Sequence, residues 1–95
     1  HTNRKSDNMA YTYILKCADN TFYTGWTKDL DNRLNAHNSG VASKYTRGRL
    51  PVNLIYYEYF ESDNEARKRE IAIKKLTRKE KEKLIKSSYF KKVKK

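Results

Sequence analysis

Hydrophobic and polar positions change period several times along this 95-residue chain, and each change marks an element. Residues 1–8 (HTNRKSDN) are polar and aperiodic ahead of Met9, which sets them apart as a tag or a disordered leader. Ala10–Cys17 and Thr21–Thr27 are both β-branched and aromatic, with Ala18, Asp19 and Asn20 as turn material between them, and together they predict a β-hairpin. The period then becomes helical. Leu30, Leu34 and Ala36 or His37 supply an apolar side, Thr27 or Asp29 can cap the start, and Gly40 ends the helix after about Ser39. A polar, basic loop (VASKYTRGR) leads to Pro51. Val52–Phe60 is the most apolar and aromatic stretch, which predicts a strand at the centre of the sheet.

Ser62 or Asp63 caps the next helix, which runs to about Leu76, with Glu65 at capping-box spacing from Ser62. Thr77 and Glu80 repeat that spacing ahead of a short last helix, RKEKEKLIK. The predicted order is therefore β-β-α-β-α-α. That is an α/β chain of the α+β kind, a small three-stranded antiparallel sheet flanked by helices, with one domain over 9–86 and a basic tail at 87–95. A chain of this length supports one modest core, so any site must share residues with it.

Charge sharpens the picture because it is unevenly placed. Residues 1–65 hold 8 Lys/Arg against 8 Asp/Glu, and residues 66–95 hold 14 against 3, so the whole net +11 lies in the last third. A polyanionic partner is the functional reading, and a solvated helix surface with a basic tail is the bland one. Cys17 is the only cysteine, which excludes an internal disulfide and a cysteine-based zinc site, fits a reducing compartment and leaves oxygen ligands for any metal. No apolar run approaches the roughly 20 residues that span a bilayer, and no segment has a signal-peptide layout. A cytoplasmic protein is expected.

Tyr11-Thr12-Tyr13 on the first predicted strand is followed, ten residues after Tyr13, by Tyr23-Thr24-Gly25 on the second. This pairing resembles the two triplets of the GIY-YIG nuclease superfamily, with Tyr and Thr in place of Gly and Ile in the first. Arg33 stands ten residues after Tyr23, His37 one turn later, and Glu70 lies on the helix after the third strand, as in that family. The resemblance covers about residues 10–85. It is closest to small stand-alone bacterial members similar to the nuclease domain of Slx-type structure-selective endonucleases, a branch in which Lys44-Tyr45-Thr46 is also typical. One departure is Trp26, where some branches carry a lysine.

The resemblance implies a metal-dependent endonuclease that hydrolyses DNA phosphodiester bonds, on branched or flapped structures rather than at a base sequence, with a role in DNA repair. It implies that Glu70 holds one divalent ion, Mg²⁺ or Mn²⁺, that Tyr23 takes the proton of the attacking water and that Tyr13 orients that water. Arg33 would stabilise the phosphorane charge, and His37 would assist proton transfer or touch the phosphate.

Read without the family, these residues each admit two roles. Glu70 falls inside the apolar stripe of Ala66, Ile73 and Leu76, where a carboxylate is costly unless it binds a metal or pairs with Arg67 or Lys74. Arg33 lies at the margin of the Leu30/Leu34 stripe, where it either reaches a phosphate or snorkels. His37 near a helix end can be a plain dipole partner. Most of the eight tyrosines are expected to pack the sheet. Tyr13 and Tyr23 share a sheet face only across an odd loop, which predicts Ala18–Asn20 or two residues more. Gly25 inside a strand marks a bulge or a close backbone approach, such as a substrate phosphate.

DNA contact is expected from the basic loop (Lys44, Tyr45, Arg47, Arg49) and from a helix face with Lys74, Lys75, Arg78 and Lys79. Neither holds a base-reading motif, so backbone and shape would be read, with steep salt dependence. Two rivals stand beside the nuclease: a DNA-binding module on the same scaffold without useful catalysis, and an RNA-binding or ribosome-associated basic protein.

Overall fold

The computed structural model describes residues 9–94, and side chains as far as Ser87. The tag or leader expected at 1–8 lies outside the described residues. Strands β1 (Ala10–Lys16), β2 (Phe22–Thr27) and β3 (Asn53–Phe60) form one antiparallel sheet in the order β2-β1-β3. Helix α1 (Leu30–Asn38) and a one-turn helix α2 (Lys44–Arg47) lie between β2 and β3, and α3 (Asp63–Lys74) and α4 (Arg78–Lys94) follow. The predicted order and fold class hold, with α2 formed inside the basic loop. The backbone of α4 continues through the segment expected as a tail.

The expectation of a central third strand is wrong, because β1 takes that place and β3 is an edge. β1 is buried at Ala10 and at every residue from Thr12 to Leu15, as a strand covered on both faces must be. β3 instead leaves Tyr57 37% and Tyr59 43% exposed, packed edgewise on Tyr11. Tyrosine carries both an apolar ring and a polar tip, so a tyrosine-rich stretch is equally at home on a half-wet edge strand.

The sheet carries a core on each face. On one face Tyr13, Leu15, Cys17 and Val52 pack with Tyr23 and with Leu30 and Leu34 of α1. On the other, Ile14, Tyr56 and Ile73 pack with Phe22, Leu76, Leu84 and Ile85. The hairpin pairs Lys16 with Phe22 and Tyr13 with Gly25, which leaves a five-residue loop and puts Tyr13, Tyr23 and Gly25 on one face.

Caps fix where the helices begin. The Asp29 carboxylate accepts from Asn32 N at 3.1 Å, and Ser62 Oγ from Glu65 N at 3.2 Å. Thr77 and Glu80 close a reciprocal box, with Thr77 N donating to Glu80 Oε1 at 2.9 Å and Glu80 N to Thr77 Oγ1 at 3.2 Å. The Thr12 hydroxyl donates to Ala66 O at 2.7 Å and fastens α3 to the central strand.

Candidate active site

The α1 face of the hairpin holds a fully buried chain of polar groups. Tyr13 Oη lies 3.0 Å from His37 Nε2, and His37 Nδ1 lies 2.9 Å from Thr46 Oγ1. Thr46 donates its own proton to Ser43 O at 3.4 Å, so the polarity that satisfies all three has His37 Nδ1–H donating to Thr46 and Tyr13 donating to Nε2. Tyr13 is 1% exposed, and His37 and Thr46 are 0%. With no exposed atom and both nitrogens engaged, His37 has no means of touching a phosphate. Its contact on this side is Tyr13, whose hydroxyl it fixes.

Tyr23 stands beside this pair, with ring centroids 6.5 Å from Tyr13 and 5.1 Å from His37. Tyr45 stacks on Tyr23 at 5.8 Å and 26°, and the Arg49 guanidinium lies 4.1 Å above the Tyr45 ring. Arg49 is also tied to Asp19 Oδ2 at 3.0 Å and to Tyr45 O at 2.6 Å. The basic loop is therefore folded onto the tyrosines. Its Tyr45 and Arg49 are partly spent on holding Tyr23, whereas Lys44 and Arg47 are exposed and make no ion pair among the described residues.

Gly25 explains how Tyr13 fits. A Cβ there would stand 2.6 Å from Tyr13 Oη and 2.8 Å from Tyr13 Cζ. The β1–β2 register is unbroken at Gly25, so the glycine is not a bulge, and the close approach comes from a side chain of the protein itself. Gly25→Ala is expected to destabilise the fold by roughly 1–3 kcal/mol through overpacking. A denaturant midpoint equal to that of the wild type would show that Tyr13 is not held there.

Charges surround the Tyr13 hydroxyl. Burial raises its pKa well above the ordinary tyrosine range, Tyr23 adds to the effect, Arg33 opposes it, and Glu70 raises it further. Of the charged groups, Arg33 is felt before Glu70 there. Arg33 is half-buried on α1 and has no carboxylate partner among the described residues. The other half-buried charges nearby are matched: Arg69 holds Glu58 at 2.9 and 3.0 Å, Tyr56 donates to the same carboxylate, and Lys74 pairs with Glu70 at 3.0 Å. An unmatched cation in such a setting is prepared for an anion.

Glu70 comes from α3, whose Ile73 packs on the opposite face of the sheet from Tyr13. Its side chain is 18% exposed. The described residues contain no group of three His, Cys, Asp or Glu able to cage a metal. A single carboxylate with an open side fits Mg²⁺ or Mn²⁺ only when waters and a phosphate complete the shell. Lys74, expected to meet DNA, is the partner of Glu70. Lys75 and Lys79 are exposed and make no ion pair among the described residues, and Arg78 is bound to Glu82, to Asn20 O and over the Phe22 ring.

Burial, and then the Arg33 charge, hold the His37 imidazole below its ordinary pKa of 6.5. As pH falls below that value the unfolded chain takes up a proton that the folded one resists. The contribution of His37 is thus level above pH 6.5, and stability declines through the window below it. Melting temperature should fall on acidification below about pH 6.5, and His37→Asn should flatten that slope. An unchanged slope in the variant would assign the titration elsewhere.

Sequence reasoning offered His37 for the apolar side of α1 but did not identify Thr46 as part of the site. A threonine nine residues after a helical histidine leaves no periodic signal, because α2 must fold back before the two meet. Helices of the described residues are all too short or too polar to cross a membrane.

Comparison with known proteins accords with this geometry. The GIY-YIG catalytic domain family matches residues 9–84. UPF0213 protein CPE1444 of Clostridium perfringens is 57% identical over 83 residues, 87% of this chain and 89% of that protein. The solution NMR structure of UPF0213 protein BH0048 from Bacillus halodurans is 45% identical, with a TM-score of 0.55 over 82% of this chain and 83% of that one. The solution NMR structure of protein EF2693 from E. faecalis is 46% identical, with a TM-score of 0.59 over 86% and 88%. The chain belongs to the GIY-YIG family, a nuclease superfamily, and is a homologue of the UPF0213 proteins.

Proposed function

We propose that this protein is a metal-dependent DNA endonuclease that selects branched or flapped structures and cuts beside Tyr13 and Tyr23. The observation that carries this reading is Arg33, a half-buried cation without a carboxylate among the described residues, on the helix that packs over Tyr13 and Tyr23, with the Tyr13 hydroxyl fixed by His37. Glu70 would hold Mg²⁺ or Mn²⁺ together with water and phosphate oxygens, and when bound the ion supplies Lewis-acid stabilisation of phosphate charge. Arg33 presents its planar fork to the phosphate and stabilises the charge that develops there. Tyr13 is nearly as buried as His37 and donates to it, so it would orient the attacking water indirectly, through the Arg33 and Tyr23 side chains beside it. Tyr23 would take that water's proton while passing its own hydroxyl proton on to solvent, so that it ends as the neutral phenol it began as. Lys44, Arg47 and Lys75 would follow the backbone without reading bases. Because these contacts are phosphate contacts, affinity should fall steeply with salt.

The second reading is a DNA-binding module without useful catalysis. The Lys74–Glu70 ion pair favours it, since the one candidate metal ligand is already matched. Incubating the protein with flapped and branched DNA in Mg²⁺ or Mn²⁺ separates the two. Strand scission supports the nuclease, and salt-sensitive binding without scission across metals and structures would leave only the binding module.

A further inference from the structure

β2 is an edge strand, and its outer side opens onto a groove of about 490 Å³ that runs against α1, with Trp26, Lys28, Asn32, Arg33 and Ala36 among its lining. That volume lies in the range of small-ligand sites. Trp26 is distinctive within it. Tyr13, Tyr23, Tyr45 and Phe22 all engage another ring or a cation, whereas Trp26 has no ring contact, and its indole N–H has no hydrogen-bond partner among the described residues. The Asn32 side-chain amide is likewise unbonded. Arg33, on the same wall, is the unmatched cation of the candidate active site.

We infer that this groove seats one unpaired nucleobase of a DNA strand, with Trp26 as its stacking face. An indole face left unused is an adaptable surface for any base. The Asn32 amide supplies a donor and an acceptor for a base edge. Arg33 takes the adjoining phosphate. The Asp29 carboxylate at the helix start is bound to Asn32 N, and its charge keeps phosphates away from that end, so the strand enters from the Arg33 side. A base inside a duplex has both faces covered by its neighbours and cannot stack on Trp26. The groove thus names the substrate feature, an unpaired nucleotide at a flap or junction. This inference rests on the nuclease reading for its DNA ligand and deepens it.

Trp26 is the only tryptophan in the chain, so its fluorescence reports on this groove alone. The test titrates the protein, in EDTA to prevent cleavage, with a flapped duplex and with a blunt duplex of equal length, and follows tryptophan emission together with the anisotropy of labelled DNA. Flapped DNA should quench the emission saturably, while the blunt duplex binds and leaves it near its free value. Trp26→Ala should weaken flapped DNA roughly tenfold and the blunt duplex by under about twofold, and Trp26→Phe, which keeps an aromatic face, should recover part of the loss. Circular dichroism checks that both variants fold. Equal quenching by the two DNAs, or equal weakening of both by Trp26→Ala, would overturn the inference and leave the nuclease reading standing. Absence of binding to either DNA would overturn both.

Discussion

Arg33→Ala is expected to slow cleavage roughly 10²–10³-fold, the scale on which a transition state loses one fixed charge donor. The expectation follows from the absence of a carboxylate around Arg33 among the described residues, although the side chain is half-buried. No ion pair is broken by its removal, so the unfolding midpoint should move little. The ground-state phosphate loses one contact of several, so DNA affinity should fall far less than the rate. Arg33→Lys should rescue poorly, because a point charge does not reproduce a planar fork at a phosphate. A second readout is independent of cleavage. Arg33 is one of the two causes that hold the His37 pKa down, so Arg33→Ala should raise it, as an NMR titration of the imidazole would show. Near wild-type single-turnover rates in Arg33→Ala would remove the residue from the chemistry.

The second large effect concerns Glu70. As one half of an i,i+4 pair with a 52%-exposed Lys74, it contributes little to stability, about 0.3–0.5 kcal/mol for pairs of this kind. If its role is to hold the metal, Glu70→Ala should lose roughly 10³-fold or more in rate, with almost no change in stability. These two roles predict opposite outcomes for cleavage. As a structural ion pair alone it would leave cleavage largely intact, with the same small shift in the unfolding midpoint.

The periodic features of the fold were legible in the chain. Alternation placed the hairpin, the helical stripes placed α1 and α3, and the capping boxes at Ser62 and Thr77 placed two helix starts. The parity argument for Tyr13 and Tyr23 held because an odd loop separates their strands. The identity of the central strand was not legible, since tyrosine-rich β3 and fully buried β1 look alike until topology decides which is covered. Gly25 was conspicuous, but its cause, the Tyr13 ring lying across it, depends on cross-strand geometry. The departure of Thr12 from the family triplet also gains a reason, since its hydroxyl pins Ala66 O. His37 stood among the candidates for the helical stripe, whereas its bond to Thr46 and the binding of Arg49 to Asp19 and Tyr45 depend on how the basic loop folds back, which no periodicity records.

The most direct test of the central claim is a single-turnover cleavage assay on flapped DNA with Mg²⁺ or Mn²⁺, run on the wild type and Glu70→Ala at matched, saturating protein. The account predicts scission by the wild type that EDTA abolishes, and DNA binding without scission by Glu70→Ala. Cleavage that persists undiminished in Glu70→Ala would contradict it.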